Sequence, residues 1–182
     1  MKGRGRHSTS YMLDTNTFDY IYDSGLTNKI RNFVDSGKIR LFATDVQRQE
    51  IEGILDNTKK HNIQQVTEEI RVKFTETSAA VVALSQQNKR GYIGSRVGAF
   101  RVASEQDTQL LETLKKVNMK LPLKNMADLL IFYTAIREDM DYLITGNADD
   151  FVRPLKIFRM DTATKLQIKN NTDFEGLLNA HI

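Results

Sequence analysis

The stretch Ser10-Tyr11-Met12-Leu13-Asp14-Thr15-Asn16 decides the fold class. Three consecutive apolar residues end in an acid, a hydroxyl and an amide. A short apolar run of this kind reads as a buried strand, and the small polar residues behind it read as a helix cap at Thr15 or Asn16. A strand that passes directly into a helix is half of a crossover unit and calls for a parallel partner.

Working outward, Ile30, Phe33 and Val34 share one face of a helix over about 26–35, stopped at Ser36-Gly37. Ile39-Arg40-Leu41-Phe42-Ala43 reads as a second strand. Thr44 or Asp45 then caps a helix with Val46, Ile51, Ile54 and Leu55 at helical spacing. Residues 59–118 are mostly helical in pattern but broken, with helices expected over about 61–73, 79–88 and 104–117. Between the last two, Asn88 to Gly98 is glycine-rich and basic. The segment 125–138 carries Met126, Leu129, Leu130, Phe132, Tyr133 and Ile136, and should be a central helix. Tyr142 to Thr145 reads as a third strand, Gly146 to Asp150 as a turn, and Ile157-Phe158-Arg159-Met160 as a fourth strand. This alternation predicts an α/β fold with a mainly parallel sheet.

Composition narrows the chemistry. With 182 residues, 40% of them hydrophobic, the chain suits one domain with a core that needs no covalent staple. The expected organisation is a flexible basic arm over 1–9 and a single domain over 10–182, with a helical insertion over about 59–118. The absence of Cys excludes disulfides, thiolate metal sites and cysteine nucleophiles. His7, His61 and His181 are too scattered to suggest an imidazole site by spacing. The net charge of +3 is compatible with a polyanionic partner. No apolar run approaches the ~18 residues of a membrane span, and the basic start lacks a signal peptide's apolar stretch. No membrane association and a cytoplasmic location are the expectation.

What remains is carboxylate chemistry. In open parallel sheets ligands bind beyond the carboxyl ends of the strands. Asp14 stands at such an end, Glu50 in the helix after the second strand, Asp128 near the start of the most apolar helix, and Asn147, Asp149 and Asp150 after the third strand. Each has a plainer reading: Asp14 as a cap, Glu50 as a solvated helix charge, Asp128 as a first-turn acid favoured by the helix dipole, Asp149 and Asp150 as turn residues. Gathered together, such acids would repel one another and need a cation to offset them; oxygen-only donors suit Mg²⁺ or Mn²⁺.

The order Leu13-Asp14-Thr15-Asn16, Thr44-Asp45-Val46 leading to Glu50, Ala127-Asp128-Leu129-Leu130-Ile131, then Leu143-Ile144-Thr145-Gly146-Asn147 with Asp150-Phe151, resembles the PIN-domain nucleases over roughly residues 10–160. The resemblance implies a Rossmann-like α/β/α sandwich and a metal-dependent endonuclease, usually of RNA, with one or two Mg²⁺ or Mn²⁺ ions. Asp14, Glu50 and Asp128 match the family's main acids, Thr15 and Asn16 its small polar position, and Thr145 its threonine before the last motif. Asn147 stands where many members place a fourth acid, so Asp150 becomes the fourth charge, with Asp149 the alternative. The implied ligands are therefore Asp14, Glu50, Asp128 and Asp150, supported by Thr15, Asn16, Thr145, Asn147 and Asp149. Lys89, Arg90, Arg96, Arg101 and Lys124 are candidates for nucleic-acid contact. An RNA substrate is the expected partner, with an antitoxin-like inhibitor protein and a second copy of the chain as further candidates. The interval from Glu50 to Asp128 exceeds that of the compact toxin members. A catalytically weak PIN-like binding module is the alternative. A receiver-like or phosphatase-like domain fits less well, because it would pair two acids close to the first strand.

Overall fold

The computed structural model of the chain describes residues 8–76, 113, 126–161 and 163–181. In chain order these form β1 (Thr9–Leu13), α1 (Thr15–Asp23), α2 (Thr27–Asp35), β2 (Ile39–Thr44), α3 (Asp45–Glu52), α4 (Asn57–Glu69), β3 (Lys73–Thr75), α5 (Met126–Arg137), β4 (Tyr142–Thr145), α6 (Ala148–Asp161), β5 (Gln167–Asn170) and α7 (Asn171–Asn179). The strands make one sheet in the order β3-β2-β1-β4-β5, and every neighbouring pair is parallel. The class is α/β, a parallel sheet flanked by helices, as the alternation of strands and helices requires.

The period of the strands assigns the two helical layers. Tyr11 and Leu13 of β1 and Ile144 of β4 join Phe18 and Ile21 of α1, Ile30 of α2, Ile63 and Val66 of α4, and Phe174 and Leu178 of α7. Met12 and Leu143, one residue out of phase, join Phe132 and Tyr133 of α5 and Phe151 and Phe158 of α6. Burial on both faces explains why Tyr11-Met12-Leu13 is apolar without alternation. α3 gives Val46 to one cluster and Ile51 to the other, so it lies at the seam between the layers.

Several sequence-based expectations need correction. Ile157 to Met160 is not a strand but the end of α6. Phe151, Leu155 and Phe158 are all buried at spacings of four and three, the signature of a helix face. The strand that follows β4 in the sheet is Gln167–Asn170, which has Ile168 as its sole apolar residue and lies at the sheet's edge. The turn after β4 is short, since α6 begins at Ala148 and takes in Asp149 and Asp150. The helix expected over 61–73 runs earlier, because Asp56 caps it by accepting from Thr58 N and Lys59 N. It ends at Glu69; Arg71 then adopts φ 56°, and Lys73–Thr75 pairs with β2 as a strand. The cap of α1 is Asp14 itself. Thr9, expected in the arm, already belongs to β1. The helices expected over 79–88 and 104–117 and the loop 88–98 lie outside the described residues, Thr113 apart. Among the described residues no helix is long and apolar enough to cross a membrane.

Candidate functional site

The chain leaves β1 toward β2 on one side and returns through β4 on the other. The crevice beyond the carboxyl ends of β1 and β4 is therefore the topological switch point of the sheet. Asp14 stands in it. Its N–H donates to Ile144 O at 2.9 Å, carrying the β1–β4 ladder one residue past the strand. Its backbone is still extended (φ −77°, ψ 159°), and its carboxylate turns over the start of α1. Oδ1 accepts from Thr15 N at 2.7 Å; Oδ2 accepts from Asn16 Nδ2 and Thr145 Oγ1, both at 2.7 Å. Thr145 Oγ1 accepts from Asn147 N at 3.0 Å, so its own proton is left for Asp14.

Asp14 is 7% exposed. Burial pushes its carboxyl above the usual carboxylate range, and the bonds from Thr145, Thr15 and Asn16 do not fully offset this. Asp141, at the opposite end of the same strand pair, is the useful contrast. Burial pushes it up too, but Ser10 N and Ser10 Oγ, each at 2.8 Å, and Lys165 at 3.0 Å outweigh that and hold it below its ordinary value. Asp141 is a structural acid with a cation. Among the described residues no Lys or Arg forms an ion pair with Asp14 or Glu50.

Glu50 reaches the same place from α3. The fully buried Gln47 accepts from Thr44 N at 2.6 Å and donates to Leu13 O, tying the first turn of α3 to the residue before Asp14. On that fixed helix, Glu50 Oε2 accepts from Thr15 Oγ1 at 2.5 Å. Burial pushes the Glu50 carboxyl up, the Thr15 bond lowers it, and the charge of Asp14 raises it further. Thr15 thus caps one acid with its N–H and the other with its hydroxyl.

A third layer of contacts stands behind Asp14. Asn16 Oδ1 accepts from Gly146 N at 2.7 Å and from Asn171 Nδ2 at 3.2 Å. Gly146 suits this close approach: a Cβ there would lie 3.2 Å from Asn16 Oδ1 and 3.3 Å from Asn171 Nδ2. Thr17 Oγ1 is 2.8 Å from Asn171 Oδ1 and 2.9 Å from Ile144 O.

Of the sequence-predicted residues, the structure brings together Asp14, Glu50, Thr15, Asn16 and Thr145. Asn147 takes part through its backbone N–H, while its side chain is exposed. Asp128 is half-buried in the first turn of α5, a helix that packs on α3. Asp150 is half-buried in the first turn of α6, its N–H on Asn147 O at 3.0 Å, and Asp149 beside it is exposed. Among the described residues no three or more His, Cys, Asp and Glu side chains form a group that could hold a metal ion. Lys89, Arg90, Arg96, Arg101 and Lys124 lie outside the described residues. Sequence reasoning missed Gln47, Thr17 and Asn171. Gln47 offered one signal, an amide three residues after a threonine cap, the spacing of a capping box.

No family model, no curated protein and no solved structure matches the chain.

Proposed function

We propose that the chain is a metal-dependent endonuclease of RNA, in which Asp14 and Glu50 hold Mg²⁺ or Mn²⁺ at the switch point of the sheet. One observation carries the reading. A buried carboxylate, Asp14, and a half-buried one, Glu50, share Thr15, both are pushed above their usual range, and among the described residues neither has a cationic side chain against it. Such a pair gains from a hard cation what Asp141 gains from Lys165. The donor set fits, since carboxylate oxygens are hard ligands and Asp14 Oδ1 accepts one hydrogen bond, leaving a lone pair. Asp128 and Asp150 are the further ligands the motif order implies; among the described residues neither forms a three-acid group with this pair, so each would have to close on the ion from the first turn of its helix.

When bound, the ion supplies Lewis acidity that activates water and offsets charge on the scissile phosphate. The chain's own residues do the rest. Thr145 and Asn16 hold the Asp14 carboxylate in one orientation, so no reorganisation is needed as charge develops. Glu50 Oε2 is occupied by Thr15, which leaves Oε1 to hold the ion.

Cleavage of single-stranded RNA in the presence of Mn²⁺, abolished by EDTA and by Asp14→Asn, is the expected result. Cleavage undiminished by chelator, or retained in Asp14→Asn, overturns the reading. A second reading, an RNA-binding module that does not cleave, is favoured by Asn147 at the fourth acidic position. It would give Mn²⁺-dependent RNA binding with the RNA recovered intact.

A further inference from the structure

We propose that Asn171 is a positioning residue for Asp14, acting through the side-chain amide of Asn16. The proposal rests on the reading of Asp14 as a cation-holding acid. It adds that the site is completed by the C-terminal helix α7, 155 residues away from Asn16 in sequence.

Gly146 N–H has a proton to give and no lone pair to offer, so the Asn16 atom facing it at 2.7 Å is Oδ1. That leaves Nδ2 facing Asp14 Oδ2 at 2.7 Å, where the carboxylate can only accept. These two bonds set which way the Asn16 amide faces. Asn171 Nδ2, at 3.2 Å, is a second donor to Asn16 Oδ1 and holds that end of the amide in place from the side of α7. Asn171 is itself 8% exposed and held at its other end, because its Oδ1 lies 2.8 Å from Thr17 Oγ1. A buried polar side chain with both ends engaged has one amide orientation, and it passes that orientation to Asn16. Asn171 does not touch Asp14 in this arrangement. Its place as the first residue of α7, with Asn170 capping that helix, fixes it against the mouth of the crevice.

Two variants separate this role from plain packing. Asn171→Asp still accepts from Thr17 but offers Asn16 no proton; Asn171→Leu removes both bonds. In the metal-free wild type the Asn16 side-chain amide protons should exchange slowly with solvent, as followed by NMR. Both variants should speed that exchange while leaving the backbone amides of β1 and β4 protected. Mn²⁺ binding should weaken measurably but by less than about tenfold in Asn171→Leu, because Asn171 stands one contact further out than the ligand partners whose loss costs about ten- to a hundredfold. The same substitution made in an Asn16→Ala background should weaken Mn²⁺ binding no further, because the path through Asn16 is already cut. Unchanged Asn16 amide exchange in both variants, or additive losses of Mn²⁺ affinity in the double variant, overturns the proposal. Amide exchange is read without metal or RNA. A wild type that binds no Mn²⁺ would therefore refute the metal reading while the exchange data still decide the role of Asn171.

Discussion

At Asp14 the cap of α1 and the acid of the site are the same carboxylate, which fixes the sign of the pH dependence there. Asp14 and Glu50 both have folded-state pKa values above their unfolded ones. The folded chain thus binds these protons more tightly than the unfolded chain. Their contribution is most favourable below the unfolded values and is lost as pH rises through the folded values. Asp141 has the opposite sign, being depressed, and its contribution is lost as pH falls. Glu50→Gln keeps an acceptor for Thr15 and removes the charge that repels Asp14. In metal-free protein it should raise the melting temperature at pH 7 by about 2–4 °C, the shift that ~1 kcal/mol produces at this chain length. The gain should vanish near pH 4, where the wild-type carboxyl is itself protonated; an equal gain at both pH values would show that the charge is not the cause. The acids of α6 differ by exposure, Asp150 half-buried and Asp149 exposed. If Asp150 is the fourth charge, Asp150→Asn lowers RNA cleavage by roughly one to three orders of magnitude, the scale of one lost electrostatic contact, and Asp149→Asn is nearly silent. The reverse pattern, measured in the same assay, would shift the motif by one residue.

Between elements, the decisive contact is the Gln47 amide that bridges α3 and the end of β1. Gln47→Leu preserves bulk but leaves Leu13 O and Thr44 N without the partners they have now. Two backbone groups stripped of bonds in a buried setting should cost about 2–4 kcal/mol by urea denaturation. Gln65→Ala, which breaks an exposed bond to Glu69, should cost less than about 0.5 kcal/mol. Equal losses would mean that Gln47 is not a brace. The same contact shows where legibility in the sequence ends. β1 and β4 are readable because strands buried on both faces are apolar throughout, and Asp14 is readable because an acid interrupts such a run. β5 escapes because an edge strand with no fully buried residue needs a single apolar one, the partly buried Ile168. Ile157 to Met160 misleads because its phase with Phe151 and Leu155 shows only when all of α6 is considered. Thr15, Asn16 and Thr145 are legible as small polar residues next to strand ends. Gln47 and Asn171 are not, because their partners lie 34 and 155 residues away and only the closed sheet brings them together.

For the whole molecule, the strand order 3-2-1-4-5 gathers segments from both ends of the chain around one crevice, so ligand binding there should be felt as global stability. A cation that binds the folded chain and not the unfolded one stabilises it by mass action, about 2.7 kcal/mol at a hundredfold excess over its dissociation constant. For a chain of this length that is a rise of roughly 5–10 °C in melting temperature. The pair of acids makes a sharper statement than the rise itself. Without metal, Glu50→Gln should melt above the wild type, because it lacks a buried repulsion. With saturating Mn²⁺ the wild type should overtake it, because the repulsion that weakened the apo protein has become the attraction that holds the ion. Thermal melts of the two proteins, with and without Mn²⁺, therefore test for a crossing of their order. Parallel shifts in both would place the ion away from Glu50. A wild type that does not shift at all overturns the reading of Asp14 and Glu50 as a cation site.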